Sequence, residues 1–134
     1  MLNHKLNLLV IDDDDINIFI IKKIVEKTGY DIKMEARSNG QQAIDYLNEA
    51  IALGQPLPSL ILVDINMPVM NGWEFIEAYE ALAIDHQVDM YILSSSVYEN
   101  DIEKTKGYSA VKGFISKPLS IERLTELIKV IRPY

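Results

Sequence analysis

Leu60-Ile61-Leu62-Val63 runs without a break into Asp64. The run lies between Gly54-Gln55-Pro56-Leu57-Pro58 and Asn66-Met67-Pro68. Four apolar residues bounded by turn signals fit a strand buried on both faces, as in a parallel sheet covered by helices. Asp64 then stands at the carboxyl end of that strand, the rim where open α/β sheets bind ligands. A lone aspartate there is most simply a turn or helix-capping residue. A second segment of the same design changes the reading, because Leu8-Leu9-Val10-Ile11 runs straight into Asp12-Asp13-Asp14-Asp15.

The rest of the chain alternates between two periodicities. Residues 16–28 place Ile20, Ile21, Ile24 and Val25 at helical spacing and stop at Gly29, and the aspartates ahead of them suit the positive end of a helix. Residues 32–36 read as a short strand near a sheet edge. Residues 41–52 read as a helix with Ala43, Ile44, Leu47 and Ile51 inward. Residues 73–82 follow as a helix with Phe75, Ile76, Tyr79 and Leu82 on its apolar side, and Trp73 at its start is a packing residue. Strands over 88–93 and 111–115 flank a short helix over 99–106. Ser120 opens a closing helix whose stripe is Leu124, Leu127, Ile128 and Ile131. Five strands alternating with five helices predict an α/β fold, a doubly wound five-stranded parallel sheet, as one domain over residues 1–134.

Composition removes several functions. The chain of 134 residues has no cysteine, so disulfides, thiolate zinc sites and thiol nucleophiles are excluded. A net charge of −7 argues against nucleic acid and anionic membrane surfaces, which need clustered lysine and arginine. No apolar stretch approaches the roughly 20 residues of a membrane span, and none resembles a signal peptide, so a cytoplasmic protein is expected.

Parallel strands bring their ends to one rim. The first ends at Asp12-Asp13, the third at Asp64, the fourth at Ser94 and the fifth at Lys117-Pro118. Crowded carboxylates repel one another unless a cation joins them, and hard oxygen ligands select Mg²⁺ or Mn²⁺. Magnesium takes only one or two carboxylates with waters and phosphate oxygens, which leaves room for a phosphoryl group. Lys117 and the Ser94 hydroxyl suit that group's oxygens. An aspartate beside the cation is a credible acceptor of the phosphoryl group itself.

Four pieces in this order resemble the receiver domain of bacterial response regulators, the single-domain chemotaxis-type regulators in particular. They are Val10-Ile11-Asp12-Asp13, Val63-Asp64-Ile65-Asn66-Met67-Pro68 with Asn71-Gly72, Leu93-Ser94-Ser95, and Phe114-Ile115-Ser116-Lys117-Pro118. The resemblance covers Leu8 to about Ile131. It implies a flavodoxin-like three-layer sandwich with strand order 2-1-3-4-5. It implies Asp64 as phosphoacceptor, with Asp12, Asp13, Asp64 and the backbone carbonyl of Asn66 holding Mg²⁺. Ser94 and Lys117 would bind the phosphoryl group, and the Lys117–Pro118 bond would be cis. Phe114 would be the switch residue, in a family that carries tyrosine or phenylalanine there.

The function implied is a stand-alone response regulator of a two-component phosphorelay, not an enzyme. A histidine kinase or histidine phosphotransfer protein would donate the phosphoryl group, and a downstream protein target would receive the signal. Two alternatives are a phosphatase with an aspartate nucleophile and a pseudo-receiver that binds constitutively. The first wants an acid two residues after the nucleophile, where Asn66 stands. Tyr108-Ser109-Ala110-Val111-Lys112 departs from the small, alanine-rich approach common before the family's last strand. His4, His86, Ser95 and Ser96 are expected to be surface or loop residues. Ile16, Ile18 and Phe19 are surplus to the first helix's core stripe and form a candidate docking patch for a helical phosphodonor.

Overall fold

The computed structural model describes residues 6–95 and 99–131, apart from the side chains of residues 99 and 100. His4 and Ser96 lie outside the described residues. The elements run β1 (Leu6–Ile11), α1 (Asp15–Thr28), β2 (Ile32–Arg37), α2 (Gly40–Leu53), β3 (Leu60–Val63), α3 (Gly72–Ala81), β4 (Asp89–Ser94), α4 (Glu99–Thr105), β5 (Val111–Ser116) and α5 (Ile121–Ile131). All strand pairs are parallel and the order is β2-β1-β3-β4-β5. No helix among the described residues is long and apolar enough to cross a membrane.

The pleat divides each central strand between two cores. Leu9, Ile11, Ile61 and Val63 face Ala43, Ile44 and Leu47 of α2 and Phe75, Ile76 and Tyr79 of α3. Leu8, Val10, Leu60 and Leu62 face Ile21 and Val25 of α1 and Leu124, Leu127 and Ile128 of α5. Every side chain of β3 is therefore in a core, and all four are 0% exposed. Each such burial stabilises by roughly 1.5–3 kcal/mol. This is the physical source of the unbroken apolar run.

Two helix faces differ from expectation. In α1 the inward line is Asn17, Ile21 and Val25, with Ile24 half-buried and Ile20 41% exposed. In α2 it is Ala43, Ile44, Leu47 and Ala50, and Ile51 points outward. In each case apolar residues flank the true line on both sides, and the 100° step puts the outer one beyond the sheet. Leu82, half-buried, caps α3.

The helix starts sit where polar side chains meet free N–H groups. Asp14 caps α1, accepting from the backbone of Ile16 and Asn17, and Asn39 caps α2. Asn71 and Glu74 close a capping box on α3. The first turn of α3 also packs onto the backbone just after β3. A Cβ on Gly72 would strike the carbonyl oxygen of Asp64 and come within 2.8 Å of Cα of Ile65. Gly72→Ala is therefore expected to lower stability by about 1–3 kcal/mol, a fall of several degrees in Tm by circular dichroism. An unchanged melting curve would mean that this contact is loose.

Candidate functional site

Register builds the site. Ile11 pairs with Val63 and Val63 with Ile92, so Asp12 and Asp64 emerge side by side one residue beyond the pairing. The Asp12 N–H donates to the Arg37 carbonyl at 3.0 Å and the Asp64 N–H to the Ile11 carbonyl at 2.9 Å. On the far side Ser94 pairs with Ser116, and the Lys117 N–H donates to the Ser94 carbonyl at 2.9 Å. The Lys117–Pro118 peptide bond is cis.

The side chains converge as the strand ends imply. Asp12, Asp13 and Asp64 each offer a carboxylate oxygen, and these oxygens lie within 4.8 Å of one another. Asp12 and Asp64 are buried, and Asp13 is exposed at the mouth. Lys117 Nζ lies 2.9 Å from Oδ2 of Asp12 and 3.5 Å from Oδ2 of Asp64. Ser94 is 1% exposed on the neighbouring strand end. Asn66 is exposed in the loop after Asp64, and Ser95 is exposed beyond β4. His86 is exposed as expected, and Trp73 is buried in the α2/α3 core.

Three carboxylates against one ammonium leave the pocket negative. Burial pushes the Asp64 carboxyl above the usual carboxylate range; Lys117 draws it back and the charge of Asp12 raises it again. Burial pulls the Lys117 ammonium down, but the hydrogen bond and charge of Asp12, with the charge of Asp64, outweigh it and hold it above the ordinary lysine value. An all-oxygen donor set with surplus negative charge and an open mouth fits a hard divalent cation such as Mg²⁺.

The loop between β3 and α3 carries a feature hidden from sequence reading. The Met70 N–H donates to the Pro68 carbonyl at 2.7 Å across Val69, whose φ is 67°. A branched residue rarely adopts that conformation. Asn17 was also missed. It is buried, and its Nδ2 donates to Asp12 Oδ2 at 2.7 Å. The available signal was one polar residue within the apolar run Ile16 to Ile21.

Phe114 pairs with Ile92, is half-buried and packs on the α2/α3 core. It also lines a groove of about 400 Å³ with Ile102, Thr105 and Tyr108. Of the candidate docking residues, Ile16 is 72% and Phe19 58% exposed. Ile18 is half-buried against the α1/α5 core and so belongs to packing.

A family model for the response regulator receiver domain matches residues 8–129. The chemotaxis protein CheY of Thermotoga maritima is 30% identical over 124 residues, which span 92% of this chain and 94% of CheY. A solved two-component response regulator from Cytophaga hutchinsonii is 33% identical with a TM-score of 0.86, over 98% of this chain and all of that one. Another from Legionella pneumophila is 26% identical with a TM-score of 0.84, over 97% of this chain.

The raised Asp64 value predicts a signature in the metal-free protein. Its carboxyl holds a proton more tightly folded than unfolded, so ionising it costs stability. That cost is absent below the unfolded pKa and grows as pH rises through the folded one. Asp64→Asn should raise the metal-free Tm at neutral pH by a few degrees, and the gain should shrink towards pH about 3. A lower Tm at neutral pH would show that pairing with Lys117 outweighs burial.

Proposed function

Because the chain belongs to the response regulator receiver family, we propose that it is a phosphorylation switch of two-component signalling in which Asp64 accepts a phosphoryl group from a histidine kinase or histidine phosphotransfer protein. The observation that carries this reading is the meeting of Asp12, Asp13, Asp64 and Lys117 in one pocket. An Asp64 carboxylate oxygen bonds to phosphorus as the phosphorus–nitrogen bond of the donor's phosphohistidine breaks. The electron pair leaves with the ring nitrogen, and an acyl phosphate remains on Asp64.

Asp12, Asp13, Asp64 and the Asn66 carbonyl would hold Mg²⁺, which would offset the negative charge between carboxylate and phosphoryl oxygens. Lys117 supplies a second cation on a flexible stem, already 3.5 Å from the acceptor. The Ser94 hydroxyl donates to another phosphoryl oxygen. Its inward movement, with that of Phe114, reshapes the α4–β5 face as a two-state shift. The output is a contact with a downstream protein in the cytoplasm. Asn66 stands where an aspartate-nucleophile phosphatase needs an acid, which supports a contact rather than catalysis as the output.

Acetyl phosphate with Mg²⁺ should add one phosphoryl mass to the intact protein, and chelation or Asp64→Asn should abolish the addition. Generic phosphate esters should not be turned over. An unchanged mass would remove Asp64 as acceptor, and sustained ester hydrolysis would make the protein an enzyme.

Ile16, Phe19 and the partly exposed Ile20 form an apolar strip on α1 beside the acidic pocket, with the Lys23 ammonium 5.3 Å from the Phe19 ring centre. A helical donor lays its own apolar face on such a strip. Phe19→Ser should slow transfer from the protein donor about tenfold while acetyl phosphate labelling stays at the wild-type rate. Equal rates with both donors would place the docking site elsewhere.

A further inference from the structure

Asn17 occupies a position that helix chemistry would give to an apolar residue. It heads the inward line Asn17, Ile21, Val25 of α1 and is 7% exposed. Asparagine is a poor helix-interior residue, and a buried amide is costly unless bonded. Its amide nitrogen must face Asp12, because a carboxylate only accepts. The bond is 2.7 Å, the short range of charge-assisted contacts.

The bond lands on an occupied atom. Asp12 Oδ2 takes both Asn17 Nδ2 at 2.7 Å and Lys117 Nζ at 2.9 Å, while Oδ1 takes the Asp14 N–H at 3.0 Å. Lys117 is thus held closer to Asp12 than to Asp64. Asp12 is 3% exposed, so water cannot readily replace a partner that leaves.

We propose that Asn17 is a positioning residue that lets Lys117 pass from Asp12 to the phosphoryl oxygens on Asp64. This rests on Asp64 being the acceptor. When the ammonium leaves Oδ2, the Asn17 amide stays, so the buried carboxylate keeps a donor on each oxygen and keeps its rotamer. Without that amide, the departure of Lys117 strips Oδ2 of both its protein donors and leaves only the cation to balance the carboxylate, so the lysine is held back on Asp12. Asn17 also orients Asp12, one of the carboxylates that would hold the cation, so its loss weakens Mg²⁺ as well. Only the phosphoryl step needs Lys117 to move, so that step loses more.

Beryllofluoride mimics the phosphoryl group on an aspartate and tests this on the whole chain. Affinities for Mg²⁺ alone, and for beryllofluoride at saturating Mg²⁺, are read by Trp73 fluorescence and calorimetry for wild type, Asn17→Leu and the milder Asn17→Ser. Asn17→Leu should weaken beryllofluoride at saturating Mg²⁺ about tenfold more than it weakens Mg²⁺ alone. Asn17→Ser should fall between it and wild type. Equal losses for both ligands would make Asn17 a packing residue and overturn the proposal, as would no loss for either. Should the variants fail to fold, the wild-type side-chain amide signal of Asn17 decides. It should remain protected from exchange when beryllofluoride binds, and its loss would overturn the proposal. A wild-type protein that ignores beryllofluoride would overturn the acceptor reading, and this inference with it.

Discussion

A strand buried on both faces cannot slip. Shifting β3 against β1 by one residue would exchange the side chains facing the two cores, and all four of its side chains are 0% exposed. The pairing of Ile11 with Val63 is locked by that burial. The same pairing sets Asp12 beside Asp64, with the Asp64 N–H bonded to the Ile11 carbonyl at 2.9 Å. Hydrophobic packing thus forces two carboxylates together that would otherwise repel. The site is a consequence of the core, and its position is as rigid as the sheet.

Electrostatic frustration follows from that placement. Lys117 relieves it in part by spanning Asp12 and Asp64, and Asn17 and the Asp14 backbone take up the other lone pairs of Asp12. Among the described residues no buried side-chain polar atom lacks a partner. Asp64, in contrast, keeps a raised carboxyl pKa from burial and from its acidic neighbour. The resting pocket therefore favours whatever adds positive charge beside Asp64. That is the electrostatic setting a phosphoryl acceptor with a divalent cation needs.

The segment leading into β5 has its own attachment. The Tyr108 ring stacks on Trp73 at 5.7 Å between centroids, and its hydroxyl donates to Glu77 at 2.9 Å. The Ala110 N–H donates to Glu80 at 3.1 Å, and the Lys104 ammonium lies 4.8 Å from the Trp73 ring centre. These contacts give Tyr108 and Ala110 their place in the segment. They clip the end of α4 to α3, the helix that begins right after the loop carrying Asp64. Aromatic stacking and a charge-assisted hydrogen bond hold the α4–β5 groove in the form seen.

Strand count, the parallel rim and the meeting of the acidic doublet with Asp64 and Lys117 were legible because each rests on local pattern: apolar runs ending in polar groups. Capping by the aspartates ahead of α1 and by Ser120 of α5, whose hydroxyl accepts from Arg123 N–H at 3.0 Å, was legible for the same reason. Which of Ile20, Ile24, Ala50 and Ile51 turn inward was not, since apolar residues on both sides of a stripe leave its direction ambiguous until the helix is docked. Nor was Asn17, whose meaning depends on Asp12 lying across a turn of chain. The sequence alone determined which groups could meet, through periodicity and strand ends. Only the tertiary structure decided their pairing, because a shared oxygen, a clash on Gly72 or a stack on Trp73 exists only once distant segments occupy the same few ångströms.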